Sequence, residues 1–327
     1  MKRREFLRVL GGAAVAWPAV ARAQQATKPV IGFVNTASPD GYLPMSNAFR
    51  VGLKETGYVD GQNVSVEFRW AEGHNDRLPA IMAELVRRQV TMIAATSAPA
   101  ALAAKAATTT IPIVFETGGD PVVLGLIDSL SRPGANITGV TQTNVEIAPK
   151  RLQLLHEVIP TAKTIGLLVN PADGALAESY IKEVQTAARA LGLDLRVLNA
   201  STVADFDDLF ARLRQLGAGG LVISGGAFLT NYGEQLAVLA VRHAVPTIFQ
   251  SREFVLAGGL LSYGAALTDA YRLVGNYAGR ILKGEKPADL PVQQATKVAM
   301  FVNLKTAKAL GLTVPLPLLG RADDVIE

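Results

Sequence analysis

The order of apolar and polar positions divides the first half of the chain into short strand-like runs and longer stretches with helical spacing. Apolar or alternating runs predict strands at residues 30–34, 64–70, 92–95, 111–115 and 137–141. Apolar residues three and four apart predict helices at residues 45–56, 77–88, 100–107 and 122–130. Strands that alternate with helices indicate a parallel, doubly wound α/β sheet.

The pattern then begins again in the second half. Residues 165–170 (IGLLVN) repeat residues 31–35 (IGFVN), and residues 245–249 (VPTIF) repeat residues 111–115 (IPIVF) at the same offset. The elements between them follow the order of the first half: helix, strand, helix and strand at residues 176–191, 194–198, 206–216 and 220–224. Two matches with one order of elements predict two lobes of one design.

The segment from residue 259 to the end is too short for a third domain. It contains a predicted strand at residues 260–263 and a predicted helix at residues 269–282. These elements are expected to complete the two lobes, so the chain crosses between the lobes several times. Several crossings form a hinge, and a cleft between such lobes can close over a small solute.

Composition and charge narrow the range of functions. The formal net charge is +4, and it arises within the first 23 residues, where one acid, Glu5, stands against the bases Lys2, Arg3, Arg4, Arg8 and Arg22. The rest of the chain is neutral and has no general basic field to attract nucleic acid. There is no cysteine, so a thiolate nucleophile and a thiolate metal site are excluded. The sequence predicts no cofactor and no metal site.

Residues 1–23 have the features of an export signal: a charged start, an apolar middle and the ending Ala21-Arg22-Ala23. The apolar stretch at residues 9–20 is shorter than the ~20 residues that span a bilayer, which disfavours the alternative of a membrane anchor. The start RREFL resembles a twin-arginine signal. Cleavage is expected after about Ala23, giving a periplasmic protein.

Short motifs typical of enzymes occur in the wrong structural context. The S-x-x-K match at Ser179 and Lys182 lies inside a predicted helix with a solvated face, and the glycines at residues 217–220 precede a strand instead of following one. Two histidines, His156 and His243, have no second histidine three or four residues away, as a helical metal site requires. We therefore expect that the protein is not an enzyme and has no catalytic residue.

Five long strings carry a family resemblance: GLKETGYVDGQNVSVEFRWAEG, RLPAIMAELV, IPIVFETGGDPV, SLSRPGANITGV and KRLQLLHEVIPTAKTIGLLVNP. With them the chain resembles, from residue 29 to about 315, the periplasmic substrate-binding proteins of ABC transporters, the family that includes the tryptophan-binding type. The resemblance implies a type I periplasmic binding fold: two doubly wound parallel-sheet lobes joined by a three-crossover hinge. It assigns residues 28–141 plus 259–291 to the N-terminal lobe and 142–258 plus 292–327 to the C-terminal lobe.

The implied function is capture of a small solute, an amino acid or related carboxylate, and its delivery to an ABC permease in the inner membrane. The expected protein is a monomer without a nucleic-acid partner. One alternative is a periplasmic sensor that presents its closed form to a membrane receptor, and a weaker one is an exported α/β enzyme. A regulator of the lac-repressor kind would carry a DNA-binding helix-turn-helix before Lys28, where this chain has the export signal instead.

Candidate ligand-binding residues are polar or aromatic side chains at or near the predicted carboxyl ends of strands, where open parallel sheets bind ligands. They are Asn35, Thr36, Ser38, Tyr42, Thr96, Ser97, Thr117, Gly118, Asp120, Asn170, Asp173, Ser224, Gln250, Ser251 and Tyr263. Asp120 and Asp173 are equally well explained as helix N-caps. For Tyr42, and for Phe228, a role in the core is as consistent as stacking on a ligand ring.

The most specific expectation concerns Thr96 and Ser97. They follow the predicted strand at residues 92–95 and precede Pro99, which favours the start of a helix because it needs no N–H partner there. Two hydroxyls and a helix N-terminus would suit a carboxylate. The alternative is that Ser97 only caps its own helix.

Overall fold

A computed structural model describes residues 28–327, so the expected export signal at residues 1–23 lies outside the described residues. The first group of elements comprises β1 Val30–Asn35, α1 Leu43–Glu55, β2 Ser65–Trp70, α2 Leu78–Arg87, β3 Met92–Ala95, α3 Ala98–Ala107, β4 Ile113–Thr117 and β5 Ile137–Thr141. The second group comprises α4 Ala148–Val158, β6 Thr164–Val169, α5 Ala175–Ala190, β7 Asp194–Asn199, α6 Asp205–Gln215, β8 Gly220–Ile223, α7 Ala227–Asn231, α8 Gly233–Arg242, β9 Thr247–Phe249, α9 Arg252–Leu256 and β10 Leu261–Ala265. The last group comprises α10 Leu267–Leu282, β11 Gln293–Gln294, β12 Val298–Asn303, α11 Leu304–Ala309, α12 Leu316–Leu319 and β13 Asp324–Ile326.

The strands form two sheets, one in each lobe. The N-terminal sheet has the order β11-β5-β4-β3-β1-β2, and the C-terminal sheet has the order β13-β12-β10-β9-β8-β6-β7. Neighbouring strands are parallel in the described sheets except for β10 and β12, which run antiparallel. The order β2-β1-β3-β4-β5 in one sheet corresponds to β7-β6-β8-β9-β10 in the other, which confirms the two-lobe architecture predicted from the repeat.

Each sheet is covered by helices on both faces, because alternate residues of a strand point to opposite sides. In β1, Ile31 and Phe33 pack with α1 and α10, whereas Val34 belongs to the layer under α2 and α3. The helices α1 and α10 approach closely at Gly275, where a Cβ atom would collide with the carbonyl oxygen of Phe49. This crossing is therefore a rigid part of the N-terminal lobe.

The chain crosses between the lobes three times: after β5, between β10 and α10, and between β11 and β12. Strand pairing places Leu261–Ala265 in the C-terminal sheet, where β10 pairs with β9, and Gln293–Gln294 in the N-terminal sheet beside β5. The expected lobe boundaries at residues 259 and 292 lie on the other side of these two strands. The boundaries were implied by the family resemblance, and the local hydrophobic pattern could not correct them because it predicts a strand without identifying its partner.

The helix predicted at residues 122–130 is wrong. After Pro121 the chain makes a single turn, in which Leu124 N–H donates to the carbonyl of Asp120, and it then leaves the helical path at Gly125, whose φ is +70°. The Asp120 carboxylate accepts from Val122 N–H at 2.8 Å, a local turn that competes with a helix. Of the helices in residues 28–327, none is both long and apolar enough to cross a membrane.

Candidate functional site

A pocket of about 30 Å³ lies between the two lobes at the carboxyl ends of the strands. The N-terminal lobe contributes the start of α3 and the end of β4, the C-terminal lobe contributes the turn before α5 and the start of α7, and the first crossover closes the back. The lining residues are Tyr42, Thr96, Ser97, Ala98, Pro99, Glu116, Thr117, Gly118, Gln142, Asn144, Asp173, Leu176, Gly226, Ala227, Thr230, Gln250 and Leu267.

The structure brings together about half of the residues that the sequence predicted. Those that line the pocket are Tyr42, Thr96, Ser97, Thr117, Gly118, Asp173 and Gln250. They come from both lobes, so closure of the cleft is what assembles them. Phe228, the other aromatic candidate, packs in the C-terminal core against Phe206 and Tyr232 and lines a different cavity.

Several predicted residues support the cleft without lining the pocket, because their polar atoms are used within their own lobe. Asn35 donates to the Thr96 hydroxyl and to Tyr271, at 2.9 Å each, and so joins the ends of β1 and β3 to α10. Asn170 accepts from Ala172 N–H at 3.1 Å, and Ser251 caps α9. The rule that ligands bind at the carboxyl ends of strands, here called the strand-end rule, thus finds residues of the cleft. It does not distinguish ligand contacts from helix caps.

The other predicted residues lie away from the pocket. Asp120 is exposed in the turn described above, and Ser38 lines a second cavity of about 180 Å³ at the mouth of the cleft. Thr36 and Ser224 are buried beside the strand ends, at 4% and 2% exposure. Tyr263 lies in β10, and its carbonyl oxygen accepts from Arg151.

Sequence reasoning missed five polar or glycine positions of the pocket: Glu116, Gln142, Asn144, Gly226 and Thr230. Glu116 has a signal that could have found it, since it is the charged residue in the otherwise apolar or hydroxylic strand Ile113–Thr117. The next two directly follow β5 and obey the strand-end rule, which was not applied there. The last two belong to the start and the middle of α7, a helix that the periodicity did not predict.

The start of α3 presents a helix N-terminus to the pocket. Ser97 is the N-cap, and its hydroxyl accepts from Ala100 N–H at 3.4 Å, so the capping alternative is present in the structure. Pro99 has no N–H, and Ala98 N–H has no acceptor within the helix. The Thr96 hydroxyl donates to Val34 O at 3.2 Å and accepts from Asn35, so its hydrogen bonds are already made inside the lobe.

Two buried carboxyl groups line the same pocket as this helix N-terminus. Glu116 of the N-terminal lobe is 5% exposed, and Asp173 of the C-terminal lobe is 7% exposed. Burial raises the pKa of Glu116 to about 8 and the pKa of Asp173 to about 7. Within residues 28–327 neither forms an ion pair with a lysine or arginine. A bound cation would therefore stabilise the ionised form of both carboxyl groups, which burial alone disfavours.

Gln250 supplies a further acceptor in this pocket. Gln250 donates through Nε2 to the Thr230 hydroxyl at 2.8 Å, which leaves its buried Oε1 without a donor among the described residues. Asp173 lies so close to Gly226 that a Cβ atom there would collide with Oδ2. Since this glycine also has a φ of +142°, a side chain is excluded at this wall of the pocket on two counts.

Contacts between the lobes show that the cleft is closed. Asn75 of the N-terminal lobe donates through Nδ2 to the carbonyl of Ala172 at 2.8 Å, one residue before Asp173. On the other side of the pocket, Gly41 lies directly against the side chain of Asn231. The pocket residues of the two lobes are therefore in the arrangement that surrounds a bound solute.

Comparison with known proteins agrees with this geometry. The family model described as ABC transporter substrate binding protein matches residues 30–326, which is nearly all of the described chain. The chain belongs to this family. A curated relative, described as a tyrosine-binding protein of Clostridioides difficile (strain R20291), is 26% identical over 270 residues, which cover 81% of this chain and 75% of the relative.

Solved structures show the type I periplasmic binding fold. An ABC domain from Streptococcus pneumonia in complex with L-Trp is 24% identical, covers 92% of this chain and 100% of its own, and has a TM-score of 0.82. The ligand-free, open structure of a Clostridium difficile substrate-binding protein with adhesive properties is 25% identical, covers 91% and 99%, and has a TM-score of 0.62. At nearly equal identity and coverage, the chain therefore superposes better on the complex than on the open structure.

Proposed function

We propose that this protein captures one α-amino acid between its lobes and delivers it to an ABC permease from the periplasm. The observation that carries the proposal is the Asp173 carboxyl in this interlobe pocket, where burial raises its pKa to about 7 and no lysine or arginine among the described residues pairs with it. Together with Glu116 it supplies acceptors for a cation, in the same pocket as a helix N-terminus that suits an anion. A zwitterion with an ammonium and a carboxylate satisfies both ends of the pocket at once.

The rest of the pocket is suited to an apolar side chain. Pro99, Leu176, Ala227 and Leu267 are among its walls, together with the ring of Tyr42. The relatives described as tyrosine-binding and as an L-Trp complex make aromatic amino acids the first compounds to test. Export and delivery rest on the predicted signal at residues 1–23 and on membership of the transporter family.

The proposed mechanism is closure around the ligand. The carboxylate site lies on the N-terminal lobe and Asp173 on the C-terminal lobe, so a zwitterion interacts with both ends only when the cleft is closed. Moving the equilibrium between the open and closed forms from 1:99 to 99:1 requires about 5.5 kcal/mol of differential affinity. Two or three charge-assisted hydrogen bonds at ~1.5–3 kcal/mol each supply that amount.

The experiment is isothermal titration calorimetry of the mature chain with L-tyrosine, L-tryptophan and L-leucine, together with analogues that lack one charge. Tyramine has no carboxylate, and 3-(4-hydroxyphenyl)propanoate has no ammonium. We expect one site per monomer and at least a ~30-fold loss of affinity for either analogue, since leaving a buried charge unpaired costs ~2–5 kcal/mol. Equal binding of the deaminated acid, or no binding of any amino acid, would contradict the proposal.

A further inference from the structure

A chain of hydrogen bonds connects a buried arginine in the hinge with the pocket carboxyl. Arg151 on α4 is fully buried, at 0% exposure. Its Nη2 donates to Asn144 Oδ1 at 2.8 Å, Asn144 Nδ2 donates to Gln142 Oε1 at 2.9 Å, and Gln142 Nε2 donates to Glu116 Oε1 at 2.7 Å. We call Arg151, Asn144, Gln142 and Glu116 the hinge relay.

The remaining donors of Arg151 fix it to two crossovers. Its Nε donates to the carbonyl of Tyr263 at 2.7 Å, next to the second crossover, and its Nη1 donates to the carbonyl of Asn144 at 3.2 Å, in the first. Burial lowers the pKa of Arg151, but an arginine stays protonated in proteins. Within residues 28–327 it forms no ion pair, so the relay is the route by which this buried charge reaches a carboxyl group.

The two ends of the relay fix its direction. A guanidinium has donors and no acceptor, so Asn144 must turn its oxygen toward Arg151 and its NH₂ group toward Gln142. Gln142 must then turn its own NH₂ group toward Glu116. The Oε1 atom of Glu116 therefore acts as an acceptor, and the hydrogen bonds of such a chain polarise one another toward the carboxylate end.

We propose that Arg151 is a positioning residue of the ligand site: through Asn144 and Gln142 it holds the Glu116 carboxyl as an acceptor on the pocket wall, and so restricts the ligand to one that presents a cationic donor. The statement about the ligand rests on the proposed function. Burial opposes the charged form of Glu116, and the Gln142 hydrogen bond favours it. A ligand ammonium tips this balance to the carboxylate, whereas a neutral ligand group would leave the carboxyl protonated.

Other titratable groups also face Glu116. Burial, followed by the charge of Glu116, raises the pKa of Tyr42, and Asp173 adds to this effect from the opposite lobe. On α10, burial raises the pKa of Tyr271, with smaller contributions from Tyr42 and Glu116. Both tyrosines stay neutral between pH 5 and 9. Titration of Glu116 in this range is therefore governed by burial and by the hydrogen bond from Gln142, the last step of the relay.

The substitution Asn144→Asp tests the relay by reversing it. The new carboxylate keeps Arg151 partnered, now as an ion pair, so the buried charge is still satisfied. The new carboxylate can no longer donate to Gln142. The Gln142 side chain therefore turns its NH₂ group toward this carboxylate and its oxygen toward Glu116. Glu116 must then carry a proton to make that hydrogen bond. The relay predicts that the pKa of Glu116 rises by at least one unit in this variant.

The measurement is a ¹³C NMR titration of labelled glutamate carboxyls in the mature chain, with the Glu116 signal identified by its loss in Glu116→Gln. Gln153→Glu, which adds a carboxylate on the exposed side of the same helix, is the matched control and should leave the Glu116 titration unchanged. Calorimetry with the tightest-binding amino acid should show at least a 10-fold loss of affinity for Asn144→Asp at pH 7, which recovers as the pH is raised.

An unchanged Glu116 titration in Asn144→Asp overturns the relay, with or without a known ligand. If the wild-type chain binds no amino acid, the proposed function fails while the titration still decides the relay. If amino acids bind and the variant keeps the wild-type affinity and pH profile, the relay fails and the proposed function stands. Should Asn144→Asp not fold, Gln142→Met removes the donor to Glu116, together with the acceptor of Asn144, and carries the same prediction for Glu116.

Discussion

Replacing Asp173 with asparagine should change stability and ligand affinity in opposite directions. In the closed cleft, burial raises the pKa of this carboxyl from 3.8 to about 7. Because the folded-state pKa is raised, the associated stability is fully present below the unfolded pKa and is lost as the pH rises through about 7. Asparagine has the same shape and never ionises, so it avoids that loss.

The size of the effect follows from the shift. About three pKa units at 1.36 kcal/mol each give an upper limit of ~4 kcal/mol at pH 8 and above. Opening of the cleft rehydrates the carboxylate and recovers part of this cost. We therefore expect Asp173→Asn to raise the free energy of unfolding by ~1–2 kcal/mol at pH 8.5 and not at pH 4. Affinity for the amino acid should fall ~30-fold or more at pH 7.5, because the ligand ammonium loses a charged partner.

Thermal unfolding of the unliganded mature chain between pH 4 and 8.5, with calorimetry at pH 7.5, measures both effects. Asp120→Asn is the matched control: Asp120 is exposed, and an asparagine side chain can still accept from Val122 N–H. It should change neither quantity. Wild-type affinity in Asp173→Asn, or a stabilisation that does not depend on pH, would refute the assignment of Asp173 to the ligand cation.

Three further substitutions separate ligand contacts from scaffold. Ser97→Ala should weaken ligand binding at least ~10-fold, or ~1.4 kcal/mol, and lower the free energy of unfolding by only ~1 kcal/mol in urea titrations; unchanged affinity would leave Ser97 as a cap alone. Asn75→Ala removes the hydrogen bond between the lobes and should reduce affinity ~2- to 10-fold in calorimetry. The melting temperature without ligand should not change, and a drop in it would argue against a role of Asn75 in closure. Gly275→Ala places a methyl group against the backbone of Phe49 and should lower the free energy of unfolding by ~1–3 kcal/mol with ligand affinity intact. The control Asp269→Ala, at an exposed position of the same helix, should leave the free energy of unfolding unchanged. Equal urea midpoints for the two variants would contradict this packing.

Periodicity and the internal repeat were sufficient to predict the two-lobe fold. Strands β1 and β6, and likewise β4 and β9, occupy corresponding places in their sheets, as the matching strings at residues 31 and 165 and at residues 111 and 245 required. The pairing of strands was harder to predict from the sequence. β10 and β11 lie in the sheets opposite to those expected, because partner choice depends on contacts distant in sequence and not on the local pattern.

The candidate site was predictable where ligand contacts follow strand ends. Ser97 and Gln250 were found in this way, whereas Glu116 was missed because it lies inside β4 instead of after it. The role of Arg151 could not be read from the sequence at all. It depends on the first crossover bringing Asn144 and Gln142 into line between α4 and β4, which only the folded chain shows.

The most direct test of the account is a crystal structure of the mature chain with the amino acid that binds most tightly in calorimetry. We expect the ligand between the lobes, with its ammonium within ~3.2 Å of the Asp173 and Glu116 carboxylates and its carboxylate at the start of α3 beside Ser97. A ligand bound in the opposite orientation, or outside this pocket, would contradict the central claim.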